Sequence, residues 1–242
     1  MLNNKNFRLL LSSKNSAKFN MAYDESLVLN FQKDDLPILR FYSWEKSFTL
    51  GVSQSIKDYQ EFLNYSNDYA KRITGGGILL HEYDVSYSLI IPSSYMKNLS
   101  VKSSYEKICS FLLDFYDNLG LKSSYAKDNK NIHLSKSPFC QNGFESYDIL
   151  INSKKIGGNA QKRTKNLIFQ HGSIPIKNIN SNLTIGYSLE DFNITLSNEK
   201  AIKLLIQSFK NIFKIDFIES KLNEKEEKSL SFLLKDKYDT SN

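Results

Sequence analysis

The sequence predicts an α+β fold, and three of its features support this prediction. Short runs rich in β-branched and aromatic residues, which are typical of strands, alternate with longer segments whose apolar residues recur at helical spacing. The 242 residues are 40% hydrophobic and 24% charged, an ordinary globular composition that fits one large domain or two small ones. The sequence has no internal repeat and no Pro/Gly/Ser-rich linker. We therefore predict a single domain over residues 1–220 and a charged tail over residues 221–242.

The helices and strands can be placed in order along the chain. We predict a helix over 17–31, strands over 38–44, 49–52 and 86–91, a helix over 101–119, strands over 147–151, 155–159 and 167–176, a helix over 202–213, a strand over 215–217 and a surface helix in the tail. Pro92 ends the 86–91 run. The helix over 101–119 is the clearest, because its apolar residues form one stripe and Gly120 can end it. Ser103 and Glu106 near its start resemble a capping box.

Composition and charge exclude several classes of protein. Two cysteines, Cys109 and Cys140, cannot form a disulfide framework and fit a reducing compartment. The leucines at 9–11 are too short a run for a signal-peptide core, and no stretch approaches a transmembrane span. We therefore expect a soluble, cytoplasmic protein. The net charge of +6 comes from dispersed basic residues, which indicate first a solvated surface, second an acidic protein partner and third nucleic acid.

Cys140 and Lys155 are the pair that points most directly to chemistry. Cys140 precedes a strand-like run. Asn152 and Ser153 are typical of a tight turn, after which Lys155 opens the returning strand. This hairpin would bring the lysine back toward the segment that carries the thiol, where an ammonium lowers a thiol pKa by favouring the thiolate. Lys154 and Lys155 would point to opposite faces, so only one can face the cysteine. A cysteine able to form a thioester beside a lysine suggests acyl transfer.

Glycine clusters mark a second region of interest. Five of the 10 glycines lie at 75–77 and 157–158. Glycine lets the backbone approach a ligand closely and adopts positive φ, so that its N–H groups can converge on an acceptor. A turn between two strands would explain a glycine pair. Three glycines followed by the apolar Ile78, Leu79 and Leu80 favour instead a backbone cradle against which an apolar chain can lie.

The histidines and Cys109 leave alternatives open. His81 and His171 lie in or near the glycine-bearing segments, so a Cys–His hydrolase has to be weighed, although no cysteine-protease signature is present. Histidines that simply satisfy backbone groups are the better explanation for His133 and an equal one for the other two. Scattered His and Cys residues give no metal-site pattern. Cys109 lies near the apolar stripe of its helix, which indicates a buried, inert thiol.

Five motifs give the chain a resemblance to a known family. They are Asn20-Met21-Ala22-x-Asp24-Glu25, Leu39-Arg40-Phe41-Tyr42-x-Trp44, Arg72-x-Thr74-Gly75-Gly76-Gly77 with His81, Lys155-Ile156-Gly157-Gly158-Asn159-Ala160-Gln161, and Gln170-His171-Gly172-Ser173-Ile174. Over about residues 17–180 the sequence resembles the lipoate–protein ligase and octanoyltransferase family, most of all its cysteine-type octanoyltransferases. The resemblance implies the fold of biotin ligases, a mixed β-sheet flanked by helices that holds an acyl chain in a tunnel.

The resemblance also implies roles for individual residues. Lys155 would be the essential lysine and Cys140 the acyl-carrying cysteine. The substrate-binding residues would be Arg72, Gly75, Gly76, Gly77, Ile78, Leu79, Leu80, His81, Gly157, Gly158 and Ala160. Backbone N–H groups near Gly157 and Gly158 are candidates for stabilising an oxyanion. No metal site is implied.

Three functions are compatible with these features. The leading hypothesis is a monomeric octanoyltransferase without a cofactor, which takes octanoate from acyl carrier protein as a Cys140 thioester. It would pass the octanoyl group to a lysine of a lipoyl carrier, either the glycine cleavage H protein or an E2 lipoyl domain. The alternative is a lipoate–protein ligase that uses ATP and Mg to form lipoyl-adenylate, with Lys155 and Arg72 at the phosphates. The third is a catalytically silent acyl- or carrier-binding protein. We expect neither nucleic acid nor membrane as a partner.

Overall fold

The computed structural model describes residues 5–134, 143–183 and 186–239. The strands in these ranges are β1 (Asn6–Asn15), β2 (Ile38–Trp44), β3 (Ser47–Leu50), β4 (Tyr69–Lys71), β5 (Leu79–His81), β6 (Asp84–Pro92), β7 (Ser123–Tyr125), β8 (Ile149–Ile151), β9 (Lys154–Lys155), β10 (Gly158–Arg163), β11 (Leu167–Pro175) and β12 (Asp216–Glu219). The helices are α1 (Ala17–Asn30), α2 (Val101–Asn118), α3 (Asn198–Phe213) and α4 (Glu224–Asp236). None of these helices is long and apolar enough to cross a bilayer.

A six-stranded mixed sheet forms the centre of the fold, with the strand order β10-β11-β6-β2-β1-β12. β1 is parallel to both β2 and β12, whereas β6 is antiparallel to β2 and β11, and β11 is antiparallel to β10. Together with the flanking helices, this sheet confirms the predicted α+β class. Two three-stranded sheets, β4-β3-β5 and β7-β8-β9, extend the structure beyond it.

The two faces of the central sheet bury different helices. Successive residues of a strand point to opposite faces. Leu89 of β6 therefore lies in the cluster with Phe111 of α2 and Phe209 of α3, while the next residue, Ile90, packs with Leu27 of α1. Burial of apolar side chains on both faces contributes roughly 25 cal/mol per Å² removed from water. The central sheet is therefore sandwiched between α2 and α3 on one face and α1 on the other.

Helix α4, near the C-terminal end of the described residues, packs against α1. Its Leu230 and Leu233 pack in one cluster with Met21 of α1. Glu226 of α4 forms a 2.7 Å ion pair with Arg8 of β1. The surface helix predicted for the tail is thus present and contacts the first strand and the first helix of the chain.

Several predicted elements differ in detail from those observed. The strand expected over 155–159 is interrupted at Gly157, which adopts φ +69 and lies so close to β11 that a Cβ would sit 2.1 Å from the Ser173 carbonyl oxygen. The capping box at Ser103 and Glu106 is wrong. Ser100 caps α2 instead, because its hydroxyl accepts from the Ser103 N–H. β1 was not predicted, since its pairing with β12 comes from the far end of the sequence.

Candidate active site

A narrow cavity, which we call the inner cavity, lies between the central sheet and the glycine segment 75–77. Residues of α1, β2, β5, β10 and β11 line it, together with Gly75 and Gly76. Seven of the predicted substrate-binding residues are among its lining residues: Arg72, Gly75, Gly76, Leu79, His81, Gly158 and Ala160. The other predicted residues lie elsewhere. Ile78 and Leu80 are buried against Phe48 and Phe62.

The glycine segment is held in place by Arg72. The guanidinium of this 7% exposed residue donates to the carbonyl oxygens of Gly75 (3.2 Å) and Gly77 (2.8 Å), and also to the carbonyl and hydroxyl oxygens of Thr49. Gly76 has φ +100, and its carbonyl lies where a Cβ of Gly51 would be, at 2.0 Å. Glycine is therefore needed at positions 51 and 76, and the carbonyls of Gly75 and Gly77 point toward Arg72.

His81 belongs to a chain of hydrogen bonds beside the inner cavity. Its Nδ1 lies 2.8 Å from Asp84 Oδ2, and its Nε2 lies 2.9 Å from the Thr49 hydroxyl that accepts from Arg72. The imidazole stacks on the indole of Trp44 with the ring centroids 3.7 Å apart. Each polar atom of this ring has a side-chain partner, so the ring is fixed in one orientation.

His171 connects the glycine segment to the buried polar core. Its Nε2 lies 2.7 Å from the hydroxyl of Thr74, and its Nδ1 lies 3.7 Å from Asp24 Oδ2. Burial lowers the pKa of His171, even though Asp24 acts in the opposite direction. Burial therefore favours the neutral form of the ring. Thr74 immediately precedes Gly75, so this hydrogen bond fixes one end of the glycine segment against β11.

Asp24 and Arg40 form a buried pair behind His171. Arg40 Nη1 donates to Asp24 Oδ1 at 2.7 Å. Asp24 Oδ2 also accepts from the hydroxyls of Ser88 (2.6 Å) and Tyr42 (3.1 Å). Burial alone would raise the pKa of Asp24, but Arg40 and the other donors outweigh it and the pKa is lowered. The sequence contains both residues within family motifs but gives no sign that they meet.

Lys155 lies at the end of the β8–β9 hairpin, as predicted. Asn152 and Ser153 form the turn, both with positive φ, and β8 and β9 pair antiparallel. Lys154 is exposed and Lys155 is buried, so the two lysines point to opposite faces. Lys155 Nζ donates to Asp148 Oδ2 (2.6 Å) and to the carbonyl oxygen of Gly143 (2.9 Å).

The predicted nucleophile is Cys140. Cys140 lies outside the described residues, and in the sequence it precedes Gly143 by three positions. Burial raises the pKa of Asp148, and Lys155 only partly offsets this. The ammonium of Lys155 thus contacts a carboxyl group that is expensive to ionise and the segment that follows Cys140.

A second cavity, which we call the outer cavity, lies beside Asp148. It is lined by the start of α2, by residues 144–148 and by Asn159 of β10. Asn159 also lines the inner cavity, although it is not among the predicted site residues. In the sequence, only its position between Gly158 and Ala160 indicates a role, because the resemblance implies that both of these residues bind substrate.

Cys109 and His133 are not among the lining residues of the inner or the outer cavity. Cys109 is fully buried in α2, which confirms the prediction of a core thiol, and burial raises its pKa to about 12. His133 is exposed in the loop after β7. The described ranges hold no group of three or more His, Cys, Asp or Glu side chains that could bind a metal ion.

The fold and the cavity define the class to which this protein belongs. The model of the lipoyl protein ligase A/B catalytic domain matches residues 16–212, so the chain belongs to that family. This confirms the resemblance identified from the motifs.

Individual relatives narrow the comparison. The chain is 36% identical to octanoyltransferase LipM of Bacillus cereus over 69% of its own length and 64% of the relative's. It is 33% identical to octanoyltransferase LipM of Macrococcus caseolyticus over 66% and 62% of the two lengths. The chain therefore spans less than two thirds of the length of these relatives.

Solved structures agree with the fold. The chain superposes on lipoate-protein ligase A bound with ATP with a TM-score of 0.82 and 26% identity, over 97% of this chain and 96% of the other. A protein of T. acidophilum with bound lipoic acid gives a TM-score of 0.79 and 26% identity over 98% of both chains.

Proposed function

We propose that this protein is an octanoyltransferase. It takes an octanoyl group from acyl carrier protein onto Cys140 and passes it to a lysine of a lipoyl carrier, either the glycine cleavage H protein or an E2 lipoyl domain. The relatives named octanoyltransferase LipM support this activity over the part of the chain that they match. We further propose that the enzyme acts as a monomer in the cytoplasm, through one catalytic domain over residues 1–220, and needs no cofactor.

One observation carries the proposal most directly. The buried ammonium of Lys155 donates to the carbonyl oxygen of Gly143, on the segment that follows Cys140 in sequence. A cation beside the Cys140 thiol would favour the thiolate over the thiol, and only the thiolate is a good nucleophile. Asp148 orients this ammonium and lies beside the outer cavity.

The reaction consists of two acyl transfers. The Cys140 thiolate attacks the carbonyl carbon of the octanoyl thioester, a new carbon–sulfur bond forms, and the carrier leaves as its thiolate. The neutral amine of the acceptor lysine then attacks the Cys140 thioester. An amide bond forms, the Cys140 thiolate leaves, and the proton of the amine passes to a base in the site. Lys155 stabilises the thiolate at the start and at the end of this cycle.

The inner cavity is suited to the octanoyl chain. Its walls include Met21, Trp44 and Leu79, together with glycine backbone. Burying about seven carbons at about 0.8 kcal/mol each contributes roughly 5–6 kcal/mol, enough to select against shorter chains. The basic surface of the protein also suits an acidic carrier.

An ATP-dependent lipoate–protein ligase is the second candidate, and the likeness to lipoate-protein ligase A bound with ATP favours it. In that case Lys155 and Arg72 would bind adenylate phosphates and Cys140 would be incidental. The guanidinium of Arg72 is already occupied by Thr49, Gly75 and Gly77. It would have to leave those partners to reach a phosphate, which makes the transferase the better-supported function.

Intact-protein mass spectrometry separates these functions. Incubation with octanoyl-acyl carrier protein should add one octanoyl group to the wild type, and none to Cys140→Ser, because a serine hydroxyl has no accessible anion at neutral pH. Cys109→Ser is the matched control and should acylate like the wild type. A Cys140→Ser enzyme that still lipoylates its carrier with ATP and lipoate would contradict the transferase and support the ligase. A protein inert in both assays would be a binding protein.

A further inference from the structure

The positive charge of the protein is concentrated in two segments of the sequence, residues 85–105 and 149–189. Neither segment contains an aspartate or a glutamate, and together they contain eight of the 32 lysines and arginines. The rest of the chain therefore holds 24 basic against 26 acidic residues, a net charge of −2, although the whole chain carries +6. The entire net positive charge thus comes from these two segments.

The fold brings the two segments together at one edge of the central sheet. They contain β6, β11 and the edge strand β10, as well as the start of α2. Arg163 of β10 donates to the Ser104 hydroxyl of α2 at 2.8 Å, and the Ser93 hydroxyl donates to the carbonyl oxygen of Lys165 at 2.6 Å. The turn between β10 and β11 therefore lies beside the residues that lead into α2, and one region of the surface carries the basic residues of both segments.

We call this region the basic edge, and its cationic residues are Lys97, Lys102, Lys162, Arg163 and Lys165. The four lysines are exposed, and within the described part of the chain none of the five residues forms an ion pair. Two of the acidic residues that border the segments in the sequence already have cations of their own. Glu106 lies 3.3 Å from Lys127 Nζ, and Asp148 lies 2.6 Å from Lys155 Nζ. The exposed cations of the basic edge are therefore suited to attract an acidic protein.

The basic edge continues along β10 from the wall of the inner cavity. Gly158 and Ala160 line that cavity. Side chains two positions apart in a strand point to the same face, so Lys162 projects from the same face as Ala160, about 7 Å further along the strand. A carrier protein bound at the basic edge is thus close to the cavity that suits an octanoyl chain. The acyl donor is the carrier to which that chain is attached when it enters, so this position favours the donor as the occupant.

We propose that the basic edge is the docking surface for the acidic acyl carrier protein that donates the octanoyl group. This inference rests on the proposed function, because it assigns a surface to the acyl donor of the same reaction. Charges at the rim of an interface act mainly on the association rate and on its salt dependence. The basic edge therefore governs how fast the loaded carrier binds and leaves the acyl transfer that follows unchanged.

The test compares two double variants that change the net charge by the same amount. Lys162→Glu/Lys165→Glu reverses two cations of the basic edge. Lys225→Glu/Lys228→Glu is the matched control, because it reverses two exposed lysines of α4, a helix that contacts β1 near the other edge of the sheet. None of the four lysines forms an ion pair within the described residues, so both variants should keep the fold.

The expected effect is confined to one variant and one substrate. With octanoyl-acyl carrier protein, Lys162→Glu/Lys165→Glu should lower the association rate and kcat/KM on the order of 10-fold, with kcat nearly unchanged, and the control should behave as the wild type. Added salt should lower kcat/KM of the wild type and have a smaller effect on Lys162→Glu/Lys165→Glu. The neutral thioester octanoyl-N-acetylcysteamine needs no docking surface and should acylate all three proteins at the same rate.

Three other outcomes would contradict these expectations. Equal losses in the two variants, or no loss in either, would overturn the inference, because the position of the charges would then have no effect on binding. A loss of affinity for the lipoyl carrier alone would also overturn it, since the basic edge would then bind the acceptor. A wild type that takes an octanoyl group from neither donor would overturn the proposed function and this inference with it.

Discussion

The structure contains two buried carboxylate–cation pairs of similar length, Asp24 with Arg40 at 2.7 Å and Asp148 with Lys155 at 2.6 Å. The pKa values of the two carboxyl groups are shifted in opposite directions. The pKa of Asp24 is lowered although burial opposes it, whereas burial raises the pKa of Asp148 despite its lysine. Asp24 has the additional hydroxyl donors Ser88 and Tyr42, while Asp148 has one backbone N–H, that of Glu145.

The difference indicates that the number of hydrogen-bond donors to a buried carboxylate separates a structural role from a chemical one. A carboxylate with several donors stays ionised, and together with its cation it holds neighbouring elements in register. A carboxylate with few donors in a buried site binds a proton more readily, which is typical of groups at functional sites. We therefore expect the Asp24 pair to govern stability and the Asp148 pair to govern reactivity.

The largest effect is expected from Lys155→Ala. Under the proposed function, acyl-enzyme formation should fall on the order of 10²–10⁴-fold, because the Cys140 thiolate would lose a stabilising cation and the site would lose a proton-transfer group. Asp148 also loses its cation in this variant, so circular dichroism has to show that the protein is folded before rates are compared. Iodoacetamide alkylation of Cys140 near neutral pH should slow in parallel. Lys154→Ala, one position away and exposed, is the control. Overlapping pH–alkylation curves for both variants and the wild type would contradict the role of Lys155.

Arg40→Met tests the other pair. Removing the guanidinium leaves Asp24 buried without its cation, and the free energy of unfolding should fall by about 3–5 kcal/mol. Urea denaturation followed by circular dichroism measures this loss. Lys210→Met removes the exposed Lys210–Asp216 pair, whose atoms lie 3.1 Å apart, and should change the free energy of unfolding by less than about 1 kcal/mol. Equal losses in the two variants would mean that burial does not distinguish these pairs.

The pH dependence of stability gives a smaller but sharper comparison. Because the folded pKa of Asp24 is lowered, its contribution to stability is present above the unfolded value near 3.8 and is lost as the pH falls through the folded value. The difference in free energy of unfolding between the wild type and Asp24→Asn should therefore narrow as the pH falls below 3.8 toward the folded pKa. The folded pKa of Asp148 is raised, so its ionisation costs stability as the pH rises from the unfolded value through the folded one. Relative to Asp148→Asn, the wild type should gain stability on acidification. Urea titrations from about pH 7 down to about pH 2 would show gaps of opposite slope.

Local patterns predicted the features that depend on neighbouring residues. The apolar stripe of α2, the turn at Asn152 and Ser153 and the opposite orientations of Lys154 and Lys155 each follow from spacing over a few positions. The position of Cys140 relative to Lys155 stays a prediction.

The features that the sequence left hidden depend on contacts between distant segments. β1 pairs with β12, which lies near the other end of the sequence. Asp24 contacts Arg40 and His171 only after α1, β2 and β11 have packed. Asn159 lines both cavities, and the missing side chain of Gly172 leaves room for its amide, whose oxygen accepts from Tyr87. Motif positions can mark such residues as present, but they cannot show which groups face one another.

The stacking of Trp44 on His81 has a practical consequence. Trp44 is the single tryptophan of the sequence, and it forms part of the wall of the inner cavity. Its indole N–H donates to Ser86 and its ring contacts the imidazole, so the chromophore is fixed by its neighbours. Selective excitation of tryptophan therefore reports on one place in the molecule, without a label and without a competing emitter of the same kind. Entry of an aliphatic chain would change the polarity beside the indole and with it the emission, so that loading and emptying of the cavity can be followed in real time.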